Sequence, residues 1–211
     1  MRGRKQLAAL GAVATLTVLG AACTAAPSHP AAPGRHTASP PAGAIAALLN
    51  RSLRFPVLRP GQRCPASHGS SSPVAIGDNI GTEFGTGPVR VLIGTSRHGA
   101  ADLLAHTRAP PWLGFKTAWV SVPGYQGPFV IRATRLGRPG PVSVAGTPPA
   151  MAPLVVPRGP TIDTVPLSNG RPGYRSVLSE LWVRSPGCYA WQVDGLRFSE
   201  VIVVRAVLQQ L

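Results

Sequence analysis

From residue 89 onward the apolar residues come in short bursts. Val89–Ile93, 117–122, Phe129–Arg135, 142–144, Leu154–Val156, 176–183, 189–193 and 198–207 are rich in Val, Ile, Trp and Phe. Pro-Gly pairs at 123–124, 139–140, 172–173 and 186–187 separate several of them. Runs of this length bounded by turn residues predict β-strands, and no sustained 3.6-residue period competes with that reading. Many short strands without intervening helices predict an all-β fold, an immunoglobulin-like antiparallel β-sandwich. Upstream, residues 44–49 suit one or two helical turns, which are marginal unless they dock.

Within 188–205, Asp194-Gly195 separates two β-prone runs and predicts a type I′ hairpin. With these two as the loop, Val193 faces Leu196 and Trp191 faces Phe198, an apolar cross-strand stripe. Tyr189 would then face Glu200, a poor pairing that leaves a bulge or a three-residue loop open.

The composition changes along the chain. All twelve aromatic residues lie at or beyond Phe55 and all seven acids at or beyond Asp78. The folded domain is therefore placed at residues 51–211, about 160 residues, enough to bury close to 70% of the unfolded surface in one core. Before it, residues 24–42 hold five prolines among Ala, Ser and Thr, with no aromatic and no acid. Such a segment cannot bury a core, and residues 23–50 as a whole read as a disordered linker that begins at Cys23, with a reach on the order of 30–80 Å. At the start, the cationic Met1-Arg2-Gly3-Arg4-Lys5 precedes a largely apolar run over 7–22. This is the pattern of an export signal over residues 1–22. The run is short of the roughly 20 residues that span a bilayer.

Leu19-Gly20-Ala21-Ala22-Cys23 resembles a bacterial lipobox, with Leu19 one place too far from the cysteine and Gly20 in its stead. The expectation is lipidation of Cys23, with the linker spacing the domain from the membrane; ordinary cleavage beside a spare thiol is the alternative. Of the three cysteines, Cys23 is then spoken for. Cys64 and Cys188 remain, and outside the cytoplasm they predict a disulfide. Two free buried thiols are the competing reading.

The segment from Ser185 to Val203, Ser-Pro-Gly-Cys-Tyr-Ala-Trp-Gln-Val-Asp-Gly-Leu-Arg-Phe-Ser-Glu-Val-Ile-Val, resembles the carboxyl end of a group of uncharacterised bacterial secreted proteins and lipoproteins of actinobacterial type. Further matching pieces are Leu53-Arg-Phe-Pro, Arg63-Cys-Pro-Ala-Ser67, Gly85-Thr-Gly-Pro-Val89, 114–119 and 123–132. The resemblance implies an exported β-sandwich with a Cys64–Cys188 bridge. It implies no activity, ligand or catalytic residue.

Candidate chemistry is sparse. His98, Asp102 and His106 recur at steps of four, which on a helix would set three metal ligands on one face. Gly99, Arg97 and Arg108 weaken both the helix and a cation site, and a short helix packing Leu103 and Leu104 explains the same residues. No Gly-x-Ser-x-Gly elbow or Ser-His-Asp arrangement is visible. Asp194 is assigned to the turn, and Glu200 to pairing with Arg197 or Arg205. Trp119 reads as core, whereas Trp112, after Pro110-Pro111, reads as a possible exposed contact at a loop tip.

The formal charge of +14 comes from 21 basic and 7 acidic residues, and only Lys5 and Lys116 are lysines. Removing Arg2, Arg4 and Lys5 with the signal leaves 18 basic against 7 acidic residues, a net +11. The arginines are scattered and the address is extracellular, so a nucleic-acid partner is excluded by pattern and place. Anionic envelope polymers suit the charge. No cofactor is implied. The expected role is an exported, lipid-anchored, non-catalytic surface or binding module on the outer face of the cell membrane. The alternative is a hydrolase acting on cell-envelope material.

Overall fold

The structure, a computed structural model, describes residues 42–72, 81–95, 99–105, 111–145, 152–159 and 173–209. The signal segment, Cys23, most of the linker, His98 and His106 lie outside the described residues. In chain order the elements are α1 (Ala42–Leu49), β1 (Gly69–Ser71), β2 (Thr82–Phe84), β3 (Val89–Ile93), β4 (Ala101–Ala105) and β5 (Leu113–Ser121). These are followed by β6 (Phe129–Arg135), β7 (Val142–Ser143), β8 (Leu154–Val156), β9 (Arg175–Val183), β10 (Gly187–Gly195) and β11 (Phe198–Leu208).

The strands form the β-sandwich that the short apolar runs predict. One sheet runs β1-β2-β3-β5-β9-β7 and the other β11-β10-β6-β8. Strand β4 belongs to both. Its first half pairs with β11, Ala101 opposite Ala206, and its second half with β5, Leu104 opposite Gly114. The β4–β11 pairing is parallel, a departure from the all-antiparallel expectation. A strand that changes sheets covers part of one edge of each, which removes unpaired backbone that would otherwise template further strands.

Alternation places the core. Phe115 and Trp119 of β5 point inward with Tyr189, Trp191 and Val193 of β10 and Ile202 and Val204 of β11. Trp191 sits edge-on to Phe115 and Trp119, at centroid distances of 6.1 and 5.6 Å. Such T-shaped contacts add to the burial of three large rings. Trp119 is core, as expected, and its Nε1 donates to Ser179 Oγ at 3.0 Å.

The outward side chains of β10, Ala190, Gln192 and Asp194, are as buried as its inward ones. Something must cover that face, and the cover is the segment between α1 and β1. Helix α1 itself lies on β6 with Leu48 1% exposed. Composition assigns 42–50 to the linker, but a docked α1 belongs to the same compact unit as the strands.

The hairpin tip differs from the type I′ prediction at Asp194-Gly195. Gly195 pairs with Phe198 and Trp191 with Ile202, so Leu196 and Arg197 are the two loop residues. Two constraints move the turn. A Cβ at Gly195 would lie 2.0 Å from the Phe198 ring and 2.6 Å from the Tyr125 hydroxyl, so glycine is required for ring contact rather than for the turn. Asp194 is held by arginines on the sheet surface. Because the strand period is two, a tip displaced by two residues leaves Trp191 and Phe198 on their expected face, while Leu196 leaves the apolar stripe for the loop.

Candidate functional site

The most elaborated polar site lies where the chain enters the sandwich. Residues 51–67 form a strap across the outer face of the β11-β10-β6-β8 sheet, and a carboxylate holds its upstream end. Arg132 Nη2 donates to Asp194 Oδ2 at 2.6 Å, and Arg51 Nη1 stands 3.6 Å from Oδ1. Gln192 Nε2 donates to both Asp194 oxygens, at 3.2 and 3.0 Å, and to Ser52 O at 2.9 Å. Gln192 Oε1 accepts from Arg54 N at 2.7 Å.

Each partner has a second duty. Arg132 Nη1 donates to Leu49 O and Arg51 O, at 3.0 and 2.6 Å, so its guanidinium caps the carboxyl end of α1. Arg51 Nη1 donates to Gly195 O and Phe198 O, at 2.9 and 2.7 Å, which ties the strap to the hairpin tip. The Asp194 carboxylate is fully buried, which is tolerable only because two cations and an amide surround it.

The downstream end of the strap is covalent. Cys64 and Cys188 form the expected disulfide, with Cα atoms 5.5 Å apart and 124 residues between them in sequence. Phe55, Leu58 and Cys64 pack on Leu136, Cys188, Ala190 and Val203. Ser67 then makes two bonds to Val203, its N–H donating to the carbonyl and its Oγ accepting from the amide.

Other sequence-selected residues fall elsewhere. Trp112 is 7% exposed and is not a loop-tip contact: Leu113 pairs with Val183, so Trp112 neighbours Arg184, whose guanidinium lies 4.3 Å from the ring centroid. Asp102 stands in strand β4, so the helix that would align it with His98 and His106 is replaced by extended backbone. Among the described residues no group of three His, Cys, Asp or Glu converges.

Glu200 is not paired with Arg197 or Arg205. Its carboxylate accepts from Thr86 N at 2.6 Å and Gly87 N at 2.8 Å, and so ties β11 to the β2–β3 loop of the opposite sheet. Glu83 accepts from Arg90 Nη1 at 2.6 Å and Ser72 Oγ at 2.8 Å. Arg175 is buried, its guanidinium donating to Gly127 O at 3.2 Å beside the Phe129 ring, and burial lowers its pKa.

Two phenols are shifted upward. Burial raises the Tyr125 pKa, opposed by a hydrogen bond from Leu196 N and by Arg175, Arg51 and Arg197. Burial likewise raises Tyr189, opposed by Arg135 and by the Ser185 side chain, and its hydroxyl donates to Ser185 O at 2.5 Å.

The strap clamp is hidden in the sequence because Asp194-Gly195 has the local chemistry of a turn. The available signal was the pair of polar residues, Gln192 and Asp194, at outward positions of an otherwise apolar strand. Their partner Arg132 is named only by the β6–β10 register, which sets it opposite Gln192. No protein-family model matches the chain, and no curated protein matches it significantly.

Proposed function

We propose that this chain is an exported cell-envelope lipoprotein, anchored through Cys23, whose β-sandwich is a non-catalytic surface module tethered to that anchor by the Pro- and Ala-rich linker. The observation that carries the reading is the Cys64–Cys188 bridge. It favours an oxidising compartment and leaves Cys23 as the odd cysteine, in a small-residue context at the end of an apolar run. The resemblance of 185–203 to bacterial secreted proteins supports the same address. The duties of Asp194, Glu83 and Glu200 support a scaffold: each carboxylate is engaged in holding elements together.

The test is expression of the full chain in a bacterial host beside a Cys23→Ser variant, with detergent-phase partitioning and intact-mass analysis of the product. The wild type is expected in the detergent phase with an acylated Cys23 as its first residue, and the variant is expected to carry no acyl group by intact mass, whichever phase its apolar run 7–22 takes it to. An unmodified amino terminus at Thr24 or later would refute the anchor.

A further inference from the structure

The strap that closes the sandwich also presents a surface of its own. Its inward residues, Phe55 and Leu58, fill the contact with the sheet. Its outward residues include Leu53, 54% exposed, and Val57, 86% exposed, the two most exposed large apolar side chains among the described residues. Arg54, Arg59 and Arg63 of the same strap are also exposed. Arg205, opposite Cys188 on β11, is exposed beside the bridge. No acid occurs between residues 42 and 67, and the one acid on this sheet face that the clamp uses, Asp194, is buried under two arginines.

We infer that this face binds the surface of an anionic phospholipid bilayer, with Arg54, Arg59 and Arg63 on lipid phosphates and Val57 and Leu53 entering the headgroup boundary. Three features select that partner. The charge is complementary and guanidinium, which forks onto phosphate oxygens. The isolated apolar side chains between the arginines gain by entering a headgroup boundary and gain nothing on a soluble polyanion. The strap is fixed at both ends by Asp194 and by the disulfide, so docking orders little that is not already ordered. The inference takes its location from the envelope reading, and the binding itself needs no acyl group.

The test uses the full chain carrying Cys23→Ser, so that no lipid is attached. It is mixed with vesicles of phosphatidylcholine alone or with an equal share of phosphatidylglycerol, and amide exchange over residues 51–63 is followed. The apolar run 7–22 can bring the chain to either bilayer, so a local readout isolates the strap. Exchange is expected to slow on the anionic vesicles only, and to recover in 1 M salt. An arginine near an anionic leaflet is worth about five-fold in affinity, so the triple variant R54Q/R59Q/R63Q is expected to lose about a hundred-fold and its protection with it. V57S is expected to weaken protection without changing its dependence on salt.

Equal exchange on the two vesicle types overturns the proposal. So does protection that soluble polyphosphate abolishes and that V57S leaves intact, which would assign the face to anionic polymers. Because the tested chain cannot be acylated, failure here leaves the Cys23 reading untouched, and an unmodified amino terminus leaves this result standing.

Discussion

Replacing Asp194 with Ala tests whether the strap is held by the buried carboxylate or only by the disulfide. The variant strands the Arg132 guanidinium, whose side chain is 16% exposed, beside a cavity with no counter-charge. Breaking a buried pair by removing one partner costs about 3–5 kcal/mol. Arg51 is 29% exposed and 3.6 Å from the carboxylate, so screening by water limits its share to well under about 1 kcal/mol. Arg132 also keeps its bonds to Leu49 O and Arg51 O, which places the expected loss near the lower figure, about 3 kcal/mol. For a chain of this size that corresponds to a fall in Tm of roughly 6–12 °C.

The assay is chemical denaturation of the oxidised protein at pH 7, followed by the fluorescence of buried Trp119 and Trp191, with Arg132→Met and the double variant completing a cycle. The double variant is expected to lose about 1.5 kcal/mol less than the sum of the singles, because removing both charges leaves neither stranded. Amide exchange in 42–54 is expected to rise in Asp194→Ala before exchange in β5 or β9 does, since the clamp joins α1 and the strap to β10. A loss below about 1 kcal/mol, or additivity within about 0.5 kcal/mol, would refute the clamp.

Other parts of the structure are as open to test. Cys64→Ser with Cys188→Ser is expected to cost about 5 kcal/mol on the chain-entropy model for a loop of this length, read as the difference between oxidised and variant proteins in guanidinium; a loss under about 1 kcal/mol would mean that the strap is held without the bridge. Gly195→Ala puts a Cβ 2.0 Å from the Phe198 ring, so the ring or the hairpin tip must shift, and a loss of about 1–3 kcal/mol in thermal unfolding is expected. Glu200→Gln removes the charge that two backbone amides meet, and is expected to cost about 1.5–3 kcal/mol, with exchange at Thr86 and Gly87 as the local readout. The folded-state pKa of Tyr125 and of Tyr189 lies above the ordinary 10.0, so the folded state holds these protons more tightly than the unfolded chain. Their contribution is present below about pH 10 and is lost as pH rises through the folded values, so stability should fall on the alkaline side and fall less steeply in Tyr125→Phe and Tyr189→Phe.

Much of the fold was legible in residue order. The apolar bursts located most of the long strands, because a half-buried strand must alternate and must end where Gly or Pro stops the ladder. Trp119 was recognisable as core from its strand, and the bridge from a count of three cysteines. The hairpin shows the limit. Asp-Gly is a strong local turn signal, yet Gly195 is needed beneath Phe198 and Asp194 beneath two arginines, and these long-range demands outweigh turn propensity. Trp112 shows the same limit from the other side: its cover is Arg184, some 70 residues away, brought to it by the β5–β9 register. The spacing of His98, Asp102 and His106 suggested a helix, but pairing with both sheets made 101–105 a strand.

The sequence by itself determined the class of fold, the strand faces, the cysteine pair and the absence of acid from the chain before Asp78. These follow from local rules: period, turn chemistry and composition act over a few residues and need no knowledge of what lies opposite. Only the tertiary structure decided that 51–67 is a strap and that Asp194 is its clamp. It alone showed that the arginines of that strap are exposed along with Leu53 and Val57. Pairing energy depends on which groups meet across the register, and in this chain those groups lie some 60 to 140 residues apart.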